Sequence, residues 1–163
     1  DQGNGTYSAV FTATRAGNAV LFGLNRRHLG ADAIIQLASI RDELIARLQE
    51  QLAGWDPACE YAALFGSAAT GGMRPSSDMD LLVVRADSLD PDEPSWREQL
   101  GMLTRSVAGW TGNDPQVVEL SQSAVVAQID DPDSFLRDLE RDGIWLAGQD
   151  SYLLLARSGL VRS

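Results

Sequence analysis

The chain has 163 residues, 44% of them hydrophobic and 22% charged, enough to bury one sizeable core rather than two. Thirteen basic residues against 23 acidic ones give a formal net charge of −10, and every basic residue is Arg. The absence of Lys excludes Schiff-base chemistry, a Walker-A phosphate loop and a Ser-Lys dyad, and the acidity argues against broad, non-specific nucleic-acid binding.

Residues 1–6 are turn formers with nothing to bury and read as a loose end. Two β-rich runs follow, Tyr7 to Thr14 and Ala19 to Asn25, joined by Arg15-Ala16-Gly17-Asn18, and the pair reads as a hairpin. From Ala31 to Ala53 the residues Ile34, Leu37, Ala38, Leu44, Ile45, Leu48 and Leu52 recur at helical spacing, and Gly54 and Asp56-Pro57 end the helix. A strand from Glu60 to Phe65 runs into Gly66-Ser67, a short Ala68-Ala69-Thr70 segment, a loop from Gly71 to Ser77 and a second strand from Asp78 to Arg85. After the acidic loop Asp87 to Glu93, Ser95-Trp96-Arg97-Glu98 has the form of a capping box. Trp96, Leu100, Leu103, Val107 and Trp110 then mark an amphipathic helix. Gly112 to Pro115 breaks it. Gln116 to Leu120 reads as a third strand, Ser121 to Ile129 and Asp133 to Asp142 as helices, Ile144 to Leu146 as a short strand and Asp150 to Arg157 as a closing helix.

The order predicts an α/β (α+β) domain, a small mixed β-sheet flanked by helices, preceded by an N-terminal β-hairpin. Residues 1–29 form the appendage and residues 30–163 the main domain. Arg15, Arg26 and Arg27 against Asp1 leave residues 1–28 at +2, so the remainder carries −12. A single cysteine, Cys59, excludes an intramolecular disulfide, and a single histidine, His28, weighs against His-based metal or triad chemistry. Both suit a reducing cytoplasm, and no apolar run approaches the roughly 20 residues that span a bilayer. A start on Asp1 rather than Met reads as a piece of something longer.

The segment from Leu64 to Val84 carries the chemistry. Asp78 and Asp80 are two apart on a strand, so their carboxylates project from the same face, about 6–7 Å apart along it. Like charges at that spacing repel unless a cation joins them, and a hard, oxygen-seeking ion such as Mg²⁺ or Mn²⁺ is the economical partner. Upstream, Gly66 leaves the backbone open to a ligand, and Ser67 opens a short helix whose free N–H groups favour phosphate oxygens. A phosphate cradle and a metal-binding acid pair separated by one loop imply phosphoryl or nucleotidyl transfer.

Gly66-Ser67, a ten-residue interval and Asp78-Met79-Asp80 in an apolar strand resemble the signature of the DNA polymerase β-like nucleotidyltransferase superfamily, in particular its minimal and aminoglycoside nucleotidyltransferases. The resemblance covers residues 31–148 and implies a nucleotidyltransferase fold. It also implies a third carboxylate on a following strand, a position that Glu119 matches. The implied reaction is attack of an acceptor hydroxyl on the α-phosphate of a nucleoside triphosphate, releasing pyrophosphate. Asp78, Asp80 and Glu119 would hold metal, with Glu119 also the general base, and Gly66, Ser67, Thr70, Arg74 and Ser77 would bind nucleotide. Thr70 departs from the family pattern, which often has Arg there, and Arg74 is a substitute on the same loop. The hairpin and Leu21 to Leu29 resemble the wing of a winged-helix DNA-binding domain, which implies DNA as a partner through a missing N-terminal part.

Against these stand plainer readings. Asp78 caps a turn, Glu119 is an ordinary strand carboxylate, and Ser67 is a helix N-cap. Cys59 is a core residue, His28 a helix-entry residue, and Trp96, Trp110 and Trp145 are core, while Trp55 lines a cleft or the core. Two alternatives to catalysis follow: a nucleotide-sensing or partner-binding domain of a winged-helix regulator, and an antitoxin-like subunit that pairs with a protein partner or forms a homodimer. The acceptor and the nucleotide base have no readable motif.

Overall fold

A computed structural model describes residues 11–16, 19–70 and 78–161. The chain divides inside its longest helix, between Leu44 and Ile45, into two compact units.

In the first unit, β1 (Phe11–Ala16) and β2 (Ala19–Leu24) pair antiparallel from Phe11↔Leu24 to Ala16↔Ala19, the expected hairpin, except that Arg15 and Ala16 belong to β1 rather than to the turn. Residues 7–10 and the turn residues Gly17 and Asn18 lie outside the described residues. Phe11, Val20, Leu21 and Phe22 stay half or more exposed. His28 prepares the following helix, as its sequence position predicts: its Nδ1 accepts from Gly30 N at 3.0 Å, and its carbonyl accepts from Ala31 N at 2.9 Å. Helix α1 (Ala31–Ala53) has the expected bounds. Burial follows the apolar spacing only from Leu44 onward: Leu44, Leu48 and Leu52 are buried, whereas Leu37 and Ile40 are exposed.

The second unit is built on four strands in the order β5 (Pro115–Ser121), β4 (Met79–Arg85), β3 (Tyr61–Phe65) and β6 (Ile144–Gly148). β3 is antiparallel to both its neighbours, and β4 runs parallel to β5. A parallel pair needs a long crossover, which α3 (Pro94–Thr111) supplies. Between β3 and β4 lies α2 (Gly66–Thr70); α4 (Gln122–Gln128), α5 (Leu136–Asp142) and α6 (Tyr152–Arg157) complete the unit. Among the described residues no helix is long and apolar enough to cross a membrane.

The near-continuous apolar runs of β3 and β4 are those of strands covered on both faces. On one face Tyr61 and Ala63 of β3 and Leu82 and Val84 of β4 join Val125, Ile129, Leu136, Leu139, Tyr152, Leu153 and Ala156 of the last three helices and the turn after α4, with Val118 and Leu120 of β5 packed alongside. Tyr61 and Tyr152 stack there at 5.3 Å between ring centroids. Truncating a fully buried leucine such as Leu82 to Ala costs about 2–5 kcal/mol. The buried stripe of α3, Trp96, Leu100, Leu103 and Val107, recurs at the expected helical spacing.

Several details differ from expectation. Ser95 caps nothing: α3 begins at Pro94 behind Glu93, and no side chain accepts at the N-cap. Proline at the first helical position has a preset φ and no N–H to satisfy, so the helix starts before the capping box can form. Trp110 and Trp145 are 39% and 38% exposed rather than core, Trp110 lying under the Arg47 guanidinium at 5.7 Å. Trp55 is buried and meets Trp96 edge to face at 5.3 Å. The segment after α1 is tied to α3 by Gln99, which accepts from Asp56 N at 2.6 Å and donates to Pro57 O at 3.1 Å. The helix expected from Asp133 begins at Leu136, because Asp131 Oδ1 accepts from Asp133 N at 2.9 Å and closes a turn first.

Candidate functional site

β3 ends where β4 and β5 begin. The register pairs Phe65 with Asp80 and Met79 with Pro115, so the turn into α2, Asp78, Asp80 and the start of β5 share one end of the sheet. Asp78 stands exposed just before β4, and Asp80 is half-buried as its second residue. Their spacing of two puts both carboxylates on one side of the strand. The pair is close enough to interact: the Asp80 carboxyl is held above the ordinary carboxylate pKa, first by burial and then by the negative charge of Asp78.

Gly66 completes this corner. Its φ is +69°, the left-handed region that costs other L-residues about 1–2 kcal/mol. Any Cβ placed on it would collide with Asp80 Oδ2. The Gly66 backbone therefore lies directly against the carboxylate, and only glycine fits. Ser67 follows, half-buried in the first turn of α2. Thr70 is exposed, and its Oγ1 donates back to the carbonyls of Gly66 and Ser67, each at 3.4 Å, within its own short helix. Arg74 and Ser77 lie outside the described residues.

Glu119 is not brought to this corner. Its register partner is Val83, an odd number of residues from Asp80, so the pleat sends it to the opposite face of the sheet. There Glu119 Oε1 accepts from Trp96 Nε1 at 3.0 Å and pairs with Arg85 Nε at 3.2 Å, while Oε2 meets Arg97 Nη1 at 3.5 Å. The carboxylate is a tie between β5 and α3. The residue that the parallel register sets beside Asp80 is Gln116. The three-acid pattern passes over this position, and only the register reveals it. Among the described residues no three His, Cys, Asp or Glu side chains are placed to share a metal.

Cys59 is buried with its thiol pKa pushed up to about 11, chiefly by desolvation, which suits a core residue and not a nucleophile.

Asp78, Asp80 and the open backbone of Gly66 coincide with a family pattern. Residues 59–107 match the profile described as Nucleotidyltransferase domain. The matched stretch holds Gly66, Ser67, Thr70, Asp78 and Asp80 and stops before β5. No curated protein matches the chain. Solved structures similar to it include the toxin–antitoxin MntA-HpeT in mutant form, 21% identical, covering 71% of this chain and 82% of that one at a TM-score of 0.48. A toxin–antitoxin with AMP-PNP is 20% identical, covering 74% and 82% at 0.44. The structure of the tri-AMPylated Shewanella oneidensis HEPN toxin in complex with MNT antitoxin gives 20% identity over 74% and 82% at 0.41.

Proposed function

We propose that this chain is a metal-dependent nucleotidyltransferase that takes a nucleoside triphosphate, passes the nucleoside monophosphate to an acceptor hydroxyl and releases pyrophosphate. The observation that carries the reading is the approach of the Gly66 backbone to Asp80 with Asp78 alongside, inside a segment that matches the nucleotidyltransferase profile. Two carboxylates on one side of a strand, one of them half-buried, beside a backbone kept free of side chains, fit Mg²⁺ or Mn²⁺, which take oxygen ligands. The cation would be held by Asp78 and Asp80, and it supplies charge neutralisation of the phosphates.

The chain's own residues do the rest. Gly66 admits the triphosphate to the backbone, and Ser67 offers a hydroxyl and backbone N–H to its phosphate oxygens, with Thr70, Arg74 and Ser77 as the further nucleotide contacts of this proposal. The acceptor oxygen forms a bond to the α-phosphorus, the bond from that phosphorus to the bridging oxygen breaks, and the electron pair leaves with pyrophosphate. Glu119, held by Arg85 and Trp96 on the other face, takes no part, so the acceptor proton passes to water. The partition into an appendage, residues 1–29, and a catalytic domain, residues 30–163, and a cytoplasmic location with access to nucleoside triphosphates belong to the same proposal. The likeness of the hairpin to a winged-helix wing rests on sequence alone, and none of the matches reported above is to a winged-helix protein.

The test is transfer of label from α-labelled nucleotide in Mg²⁺, expected in the wild type and lost in Asp78→Asn and Asp80→Asn. Transfer at full rate in both variants overturns the site. The face of β5 beside Asp80 carries no acid, and this favours a second reading, a domain that holds nucleotide without turnover. Calorimetric binding of nucleotide with no pyrophosphate release selects that reading.

A further inference from the structure

We infer that the Asp78–Asp80 corner holds one divalent cation, not two, and that Gln116 sets this number. The inference rests on the nucleotidyltransferase reading and deepens it.

In a parallel pair, register partners project to the same face, so Asp80 shares its face with Gln116, and Leu82 and Val84 share it with Val118 and Leu120. The core confirms this sorting, since Leu82, Val84, Val118 and Leu120 all meet the layer built from α4, α5 and α6. Along β5 that face therefore reads Gln, Val, Leu, with no carboxylate. The one acid within β5, Glu119, points to α3 and is spent on Arg85, Trp96 and Arg97.

Neighbouring segments supply no replacement. The loop 71–77 reads Gly-Gly-Met-Arg-Pro-Ser-Ser and contains no acid. Asp114, just before β5, gives its backbone carbonyl to Met79 N at 3.3 Å, and it does not form with Asp78 and Asp80 a set of three acids that could share a metal. Two carboxylates balance the charge of one divalent ion. A pair of such ions 3.5–4 Å apart repels four times as strongly as two unit charges, and the nucleotide phosphates offset this only in part, so a second ion needs a further flanking anion from the protein. Gln116 is exposed and beside Asp80, so it presents a carboxamide where that anion would be required. A carboxamide oxygen ligates a cation but carries no charge.

The experiment is a Mn²⁺ titration of the full chain with saturating α,β-methylene-ATP, read by electron paramagnetic resonance and equilibrium dialysis. The wild type is expected to bind one Mn²⁺ per nucleotide complex with an uncoupled spectrum, and Asp80→Asn to lose it. Gln116→Glu, an exposed change of equal size, is expected to bind two and to show the signal of exchange-coupled ions, while Gln116→Asn stays at one. Two coupled ions in the wild type, or one ion in Gln116→Glu with an unchanged circular dichroism spectrum, overturns the inference and leaves the nucleotidyltransferase reading standing. Absence of any Asp80-dependent Mn²⁺ overturns both.

Discussion

Replacing Glu119 by Gln separates the two roles this residue could have. The substitution keeps size and one acceptor oxygen for the Trp96 indole, so it removes charge without opening a cavity. What disappears is the pair with Arg85, whose side chains are 17% and 19% exposed at 3.2 Å. A hydrogen bond to a charged group contributes about 1.5–3 kcal/mol, against about 0.5–1.5 for a neutral one. Arg97, 54% exposed, adds little. Arg85 keeps its hydrogen bonds to the carbonyls of Ala86 and Leu89, at 3.3 and 2.7 Å, which limits the penalty of leaving a guanidinium half-buried. The expected loss is therefore about 2 kcal/mol, or about 4–8 °C in Tm for a chain of this size. Urea and thermal unfolding followed by circular dichroism measure it, and the Mn²⁺ titration runs in parallel. A Glu119→Gln protein that unfolds like the wild type but has lost Mn²⁺ would refute the assignment of Glu119 to the opposite face.

Gly66→Ala is expected to lose Asp80-dependent Mn²⁺ binding and about 1–2 kcal/mol of stability, because the backbone is left-handed there and the new methyl meets the Asp80 carboxylate. Calorimetry with Mn²⁺ checks the first, and urea unfolding the second. Asp87 is exposed, yet the Ser123 backbone N–H at 3.0 Å and its hydroxyl at 2.9 Å hold the carboxyl below the usual range. A depressed folded-state pKa gives stability that is present above the ordinary carboxylate value of about 4 and is lost as pH falls through the folded value. Asp87→Asn should therefore lower Tm near neutrality and flatten the decline below about pH 4, and Tm measured from pH 2 to 7 shows whether it does.

Much of the second unit is legible from periodicity and punctuation. The runs Tyr61 to Phe65 and Met79 to Val84 are buried strands, and the spacing of Trp96, Leu100, Leu103 and Val107 gives α3 its inner stripe. Asp78, Asp80 and Gly66 were equally readable, because a spacing of two on a strand and a missing side chain at a turn are local properties. Glu119 was not, because its face depends on the register of β5 against β4, a contact between segments separated by the whole of α3. A strand that slips by one residue exchanges every inward side chain for an outward one, and nothing in Gln116-Val117-Val118-Glu119-Leu120 alone fixes that choice. The exposed Trp110 and Trp145 escaped for a related reason. A helical or apolar pattern says which residues share a face, but not where along the element the covering layer ends. Pro94 overruled the capping box because a preset φ acts one residue earlier than a side chain that must reach back.

The sheet has a further property in its polarity. β4, β5 and β6 all start, and β3 ends, at the edge that carries Asp80, as the pairings Phe65↔Asp80, Met79↔Pro115 and Leu64↔Ile144 require. The connections that enter there include the Gly112–Asp114 turn and the Gly143 junction. Changes of length or composition in those connections would reshape what approaches the two carboxylates without moving a rung of the ladder. The approach to this corner can thus change on this scaffold while the strands, and the acids they carry, stay where they are.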